Sequence, residues 1–179
     1  MKCPKIETAN FLIRAFEHKD LEIFAQYRAD EIVAKYQSWS NFTYQDALLF
    51  FERMDYSTFG TPGNWYQLAI AALGSDEIVG DLAMHFIDQD QIEIGYTISP
   101  QYQRKSVATE SVSNLLGYIF NVLKKHRVIA TTDTENTASF LLLEKLGFRR
   151  EAHFIQNIYF KGAWGDEYQY AILGSESKF

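Results

Sequence analysis

The chain has a single cysteine in 179 residues, Cys3, and so has no partner for an internal disulfide. A lone thiol fits a reducing compartment, and a cytoplasmic location is expected. Cys3 also sits where chain ends are usually mobile, a poor position for a nucleophile. No apolar run approaches the roughly 18 residues of a membrane span. Met1-Lys2-Cys3-Pro4-Lys5 is followed by no apolar stretch of the kind a secretory signal carries, so no membrane association is expected. The four histidines, His18, His85, His126 and His153, fall at no ligand spacing, and no metal is expected. Gly-Lys-Ser/Thr is missing, which argues against a phosphate-loop NTPase, and Gly-x-Ser-x-Gly is missing, which argues against a serine hydrolase elbow. Positive charge is scarce. Seventeen Lys and Arg against 23 Asp and Glu leave a formal charge of −6, which disfavours nucleic acid and mildly favours a cationic partner.

What is present describes a folded domain. Hydrophobic residues make up 47% and aromatics 16% of the chain, too much for a disordered polymer. A chain of this length suits one domain over residues 1–179, burying roughly 70% of its unfolded surface. There is no linker, internal repeat or low-complexity tract.

The most informative stretch runs from Gln91 to Leu123. Ile92, Ile94, Tyr96 and Ile98 alternate with Gln91, Glu93, Gly95 and Thr97, which is a strand with one apolar face. From about Lys105, Val112, Leu115, Leu116, Ile119, Phe120 and Leu123 recur at helical spacing. Ser99-Pro100 ends the strand, and Gln103 to Ala108 turns into the helix. The first amides of a helix lack intrahelical partners and carry the positive end of its dipole, so this junction suits an anion, with Arg104 and Lys105 adding charge.

Elsewhere, Phe11 to Phe16 reads as a strand, Asp20 to Tyr27 as a short helix, and Thr43-x-x-Asp46 as a capping box opening a second helix with Ala47, Phe50, Phe51 and Met54 inward. Trp65 to Leu73 and Glu77 to Phe86 read as consecutive strands, Arg127 to Thr132 as a short one, and Asn136 to Leu146 as a helix closed by Gly147. Phe154 to Phe160 and Glu167 to Leu173 form a terminal hairpin across residues 161–165. Its edge strand is a candidate for pairing in a homodimer. These elements together predict an α/β fold with a mixed, mostly antiparallel central sheet flanked by helices.

Gln103-x-x-Ser106-x-Ala108, followed by Thr109-Glu110 and preceded by Glu93-Ile94-Gly95-Tyr96, resembles the loop with which the GNAT (GCN5-related) N-acetyltransferases hold the pyrophosphate of acetyl-coenzyme A. Asn136-x-x-Ser139, ending in Glu144-Lys145-Leu146-Gly147-Phe148, resembles that family's downstream signature. Thr8-x-Asn10-Phe11-x-Ile13-Arg14 resembles the first strand of the branch that includes the ribosomal-protein N-terminal acetyltransferases (Rim-type), with Asn10 in place of the usual Arg. Ser106 stands where the family usually has Gly, which puts cofactor affinity in question because Ser adds a Cβ to a close backbone approach.

The resemblance implies an acetyl-coenzyme A dependent transfer to an amine acceptor, with no metal. It implies cofactor contacts from Gln103, Arg104, Lys105, Ser106, Val107, Ala108 and Thr109, from the backbone of Tyr96, Thr97 and Ile98, and from Asn136 and Ser139. Attack on a thioester by an amine needs a base and a proton for the leaving thiolate. Glu93 is the first candidate base, its alternative role being a structural carboxylate paired within the sheet. His85 is the second candidate. The position at which many members carry an acidic Tyr is here Leu143, so Ser139 is the candidate acid. Asn136 reads either as a pantetheine contact or as a helix cap. Tyr36, Trp39 and Trp65, with His85 nearby, read either as an aromatic pocket for an amine or as packing under a loop. Ser106 and Leu143 also keep open a non-catalytic acyl-coenzyme A binding domain on the same scaffold.

Overall fold

The computed structural model describes residues 1–179. Eight strands form one sheet: β1 (Ile6–Glu7), β2 (Phe11–Ala15), β3 (Trp65–Ala72), β4 (Ile78–Phe86), β5 (Gln91–Ile98), β6 (Arg127–Asp133), β7 (Arg149–Phe160) and β8 (Ala163–Leu173). Their spatial order is β1-β2-β3-β4-β5-β6-β8-β7. Every neighbouring pair is antiparallel except β5 with β6. The helices are α1 (Leu21–Ala29), α2 (Glu31–Ala34), α3 (Tyr44–Glu52), α4 (Val107–Asn121) and α5 (Thr137–Lys145). The architecture is the mixed, mostly antiparallel α/β sheet expected from the pattern. No helix is long and apolar enough to cross a membrane.

Period-two alternation divides the core between the two faces of the sheet. Leu68 and Ile70 of β3 and Val79 of β4 enter one core, together with Ile92 and Ile94 of β5. The intervening Ala69 and the neighbouring Ile78 enter the other. Helix α4 covers the first face with Val112, Leu115, Leu116 and Ile119, all fully buried. Helices α1 and α3 cover the second through Leu21, Phe24 and Ala47. Gly80 permits the β4–β5 contact, since a Cβ there would lie 2.5 Å from the Thr97 carbonyl oxygen. The Thr43–Asp46 capping box forms at the start of α3. Gly147, at φ 89°, ends α5 as a left-handed residue.

The Thr8-x-Asn10 segment is tied down from a distance. Glu110, in the first turn of α4, accepts from the Thr8 hydroxyl at 2.5 Å and from the Asn10 backbone N–H at 2.7 Å. It also accepts from the Asn10 side-chain amide at 2.9 Å. The beginning of the chain is thereby clamped to the start of the helix that faces the site.

Two expectations are corrected. Helix α4 begins at Val107, not near Lys105, because Arg104 and Ser106 both take left-handed backbone angles, φ 59° and 61°. The terminal hairpin is longer than its apolar runs, with only Lys161-Gly162 at the turn. Both turn residues have positive φ, 53° and 83°, so the turn matches the right-handed strand twist and lets pairing continue to the tip. Strand β8 then lies between β6 and β7, leaving β7 at the sheet edge. The short β1 and α2 have no periodic signal and were not anticipated, because two to four residues are too few to show a period.

Candidate active site

The site originates in a break in the sheet. Strands β5 and β6 pair only at Gln91–Arg127, Ile92–Val128 and Glu93–Ile129. Past Glu93 no pair joins them, and the β6-facing edge of residues 94–98 is left open. The wedge widens into a cavity of about 990 Å³, at the upper end of the ~300–1,000 Å³ typical of ligand pockets. Its walls include Ile94 to Ile98, the loop before α4, the start of α5, and the α1–α3 region.

At one end lies the loop. The first intrahelical bond of α4 runs from the Glu110 N–H to the Ser106 carbonyl, 2.9 Å, so the amides of Val107, Ala108 and Thr109 have no intrahelical partner. With left-handed residues at 104 and 106, the backbone forms a concavity of the kind that receives anionic oxygens. Arg104, Ser106, Ala108 and Thr109 line the cavity, as does Val107, whose side chain is buried in the core. Gln103 also lines the cavity, and it braces the loop, its amide donating to the Ile98 carbonyl at 3.1 Å. Lys105 does not line the cavity; its ammonium lies 5.3 Å from the Tyr102 ring centre. These groups fit a diphosphate.

Ser106 bears the strain that a glycine would avoid, since a left-handed residue with a Cβ costs roughly 1–2 kcal/mol, and its side chain makes no cap bond. Ser106→Gly is therefore expected to stabilise the fold by about 1 kcal/mol, a rise in Tm of about 2–4 °C. Calorimetry should also show tighter coenzyme A binding. A fall in Tm would mean that the Ser106 hydroxyl supports the loop.

In the middle of the cavity stand Glu93, Tyr96 and Ser139. Glu93 is half-buried and loosely held, its two carboxylate oxygens 3.5 Å from His85 Nδ1 and 3.4 Å from the Thr131 hydroxyl. Both distances lie at the long limit of hydrogen bonding. Trp65 stacks on His85 with ring centres 4.5 Å apart and planes 9° from parallel. His85 lies behind Glu93 and is not part of the cavity wall, whereas Trp65 is. The Tyr96 hydroxyl donates to the Ser139 carbonyl at 3.1 Å and is 3.0 Å from the Ser139 hydroxyl. Burial pushes the Tyr96 phenol up to about 12. Asn136 caps α5, its side-chain oxygen accepting from the Ser139 N–H at 3.3 Å, and it also lines the cavity. Leu143 is fully buried against it.

The far end is where the sequence reading changes most. Trp39 lies over a cation, but the cation belongs to the chain: the Arg28 guanidinium carbon is 4.1 Å from the Trp39 ring centre and 4.3 Å from that of Phe24. Trp39 is fixed further by its indole N–H, which donates to the Arg28 carbonyl at 3.0 Å. One face of the indole is thus engaged, and Trp39 still lines the cavity. Arg28 pairs at 3.0 Å with Asp81, which is fully buried and also receives the Tyr27 hydroxyl at 2.5 Å and the Gln67 amide. Burial, then the adjacent Asp81 charge, hold the Tyr27 phenol well above its ordinary value. Tyr36 lines the cavity, its hydroxyl donating to the Glu135 carbonyl at 3.2 Å. The cluster of Arg28, Gln67 and Asp81 was missed in the sequence, where the one available signal was a charged residue inside the apolar run of β4.

The family model for the acetyltransferase (GNAT) domain matches residues 10–149. The chain belongs to the GNAT acetyltransferase family. It is 34% identical over 172 residues to the uncharacterized N-acetyltransferase YnaD of Bacillus subtilis, covering 96% of this chain and 98% of that one. A GNAT-family acetyltransferase of Bacillus anthracis superposes with a TM-score of 0.87 at 34% identity, covering 97% of this chain and all of the other. The Vibrio cholerae spermidine N-acetyltransferase, solved with CoA and spermine, shares the fold with a TM-score of 0.78 at 19% identity, covering 93% and 96% of the two chains. Acetyl-coenzyme A dependent acetyl transfer is the activity of this class.

Proposed function

We propose that the chain transfers the acetyl group of acetyl-coenzyme A to a primary amine of a cationic acceptor, by direct attack with both substrates bound. The observation that carries this reading is the continuity of one cavity from the anion-binding loop at Ser106, past Ser139, to Glu93 and on to Trp65 and Tyr36. A thioester and an amine bound in it would meet without a covalent relay. The lone thiol is no competing nucleophile: Cys3 does not line the cavity, and burial pushes it up to about 11.

In this reading the loop amides and Arg104 hold the diphosphate, and the open edge of β5 receives the pantetheine arm. The bound thioester supplies the activated acetyl group. Glu93 removes the amine proton, directly or through one water, and the Ser139 hydroxyl faces the departing sulfur. Glu93, Glu167 and Asp133 on the cavity wall supply negative potential suited to a cationic amine. The spermidine N-acetyltransferase that shares this fold is named for a cationic amine and was solved with CoA and spermine.

Thiol release from acetyl-coenzyme A against a panel of polyamines, aminoglycosides, small amino compounds and peptides with free N-termini tests the proposal. The expected result is turnover with at least one cationic member. Coenzyme A that binds and raises Tm with no thiol release from any of them would favour a sensing domain.

A further inference from the structure

The catalytic cavity contains a phenol for which direct attack leaves no assigned task, and this inference rests on the function proposed above. Leu143, fully buried at the wall, can give no proton. The Ser139 hydroxyl can, yet an aliphatic alcohol is a weak acid unless its oxygen is supported while the proton leaves. Tyr96 is in place to do that, with its hydroxyl 3.0 Å from Ser139 Oγ.

Two arrangements of the two protons are open. Where the Tyr96 proton goes to the Ser139 carbonyl, 3.1 Å away, the Ser139 proton is drawn toward the phenol oxygen and away from the cavity. Where the Tyr96 proton goes to Ser139 Oγ, the serine proton is free to face the cavity that both residues line. Negative charge developing on a sulfur in that cavity favours the second arrangement, because a charge-assisted bond is the stronger one.

We propose that Tyr96 is a positioning residue acting through Ser139: it aims the serine proton at the leaving sulfur and replaces that proton as it departs. As the carbon–sulfur bond breaks, its electron pair goes to sulfur, the Ser139 Oγ–H proton moves to sulfur, and the Tyr96 proton moves to Oγ. The amine proton goes to Glu93, and when the thiol leaves, Glu93 releases that proton to solvent while the phenolate takes one back from solvent, so no net hydroxide or proton is produced. The atoms balance with no further reactant. A phenol is the stronger acid of the two hydroxyls, so the charge left behind rests on the group better able to carry it.

The test is a double-mutant cycle in the intact chain, using Tyr96→Phe, Ser139→Ala and the double variant, with acetyl-coenzyme A and the best acceptor of the panel. Each single variant is expected to lower kcat by on the order of 10- to 100-fold, with KM for acetyl-coenzyme A within about twofold of the parent. The double variant should be no slower than Ser139→Ala alone. In mixed H2O and D2O the parent rate should curve with deuterium fraction, as two protons in flight require, and the Tyr96→Phe rate should fall linearly. Multiplicative losses in the cycle, an unchanged kcat for Tyr96→Phe, or the same proton inventory in parent and variant would each overturn the role while leaving the proposed function standing. A parent that releases no thiol with any acceptor overturns both.

Discussion

Glu93→Gln is expected to lower kcat by about 10²- to 10⁴-fold, the range for losing a positioned general base, while the Kd for coenzyme A stays within about twofold. The split follows from geometry. Glu93 lies at the last paired position before β5 and β6 part, on the cavity wall. The loop of residues 103–109, by contrast, which in the proposed function holds the coenzyme, lies beyond Ile98 at the other end of the strand. Gln keeps the shape and the contacts to His85 and Thr131 but cannot accept a proton. Because both of those contacts are long, little folding stability should be lost, and Tm serves as the control. Steady-state kinetics beside calorimetry decide the matter. Equal losses in rate and coenzyme affinity, or no loss in either, would remove Glu93 from the role of base.

Asp81→Ala should destabilise the fold by about 3–5 kcal/mol, the typical result of stripping one partner from a buried ion pair. Arg28 is 5% exposed and its Nε already lacks a hydrogen-bond partner, so without Asp81 the guanidinium would keep its charge with only aromatic faces around it. Tyr27 and Gln67 would lose an acceptor in the same step. A loss of this size is a large share of the roughly 5–15 kcal/mol that holds a typical domain together. Urea denaturation of the variant measures it. Arg28→Met/Asp81→Leu, which removes both charges and keeps the volume, is expected to recover most of that loss. A single variant that loses less than about 1 kcal/mol would mean that water reaches the pair.

The parts of the site legible in the sequence were those carried by one continuous segment. Residues 103–109 and the Asn136–Ser139 turn each join a backbone element to a helix start, the second where local pattern put it and the first at Val107 instead of near Lys105. Ser106 shows the limit of that reading: a helix running from about Lys105 would include it, but the chain has to turn from β5 into α4, and positive φ at 104 and 106 makes the turn. Trp39 shows another. An indole near an expected amine pocket suggests cation–π binding, yet the cation it covers comes from Arg28, eleven residues earlier in the chain.

By itself, the sequence determined the alternating strands, the amphipathic α4 and the order that makes a mixed sheet, because periodicity and capping act over a few neighbouring residues. Only the tertiary structure decided where β5 and β6 separate and which side chains meet in the gap. Tyr96 and Ser139 lie 43 residues apart, and Arg28 and Asp81 lie 53 apart. Such pairings depend on strand register and helix placement, which are set by burial summed over the whole core and leave no mark on the residues that happen to meet.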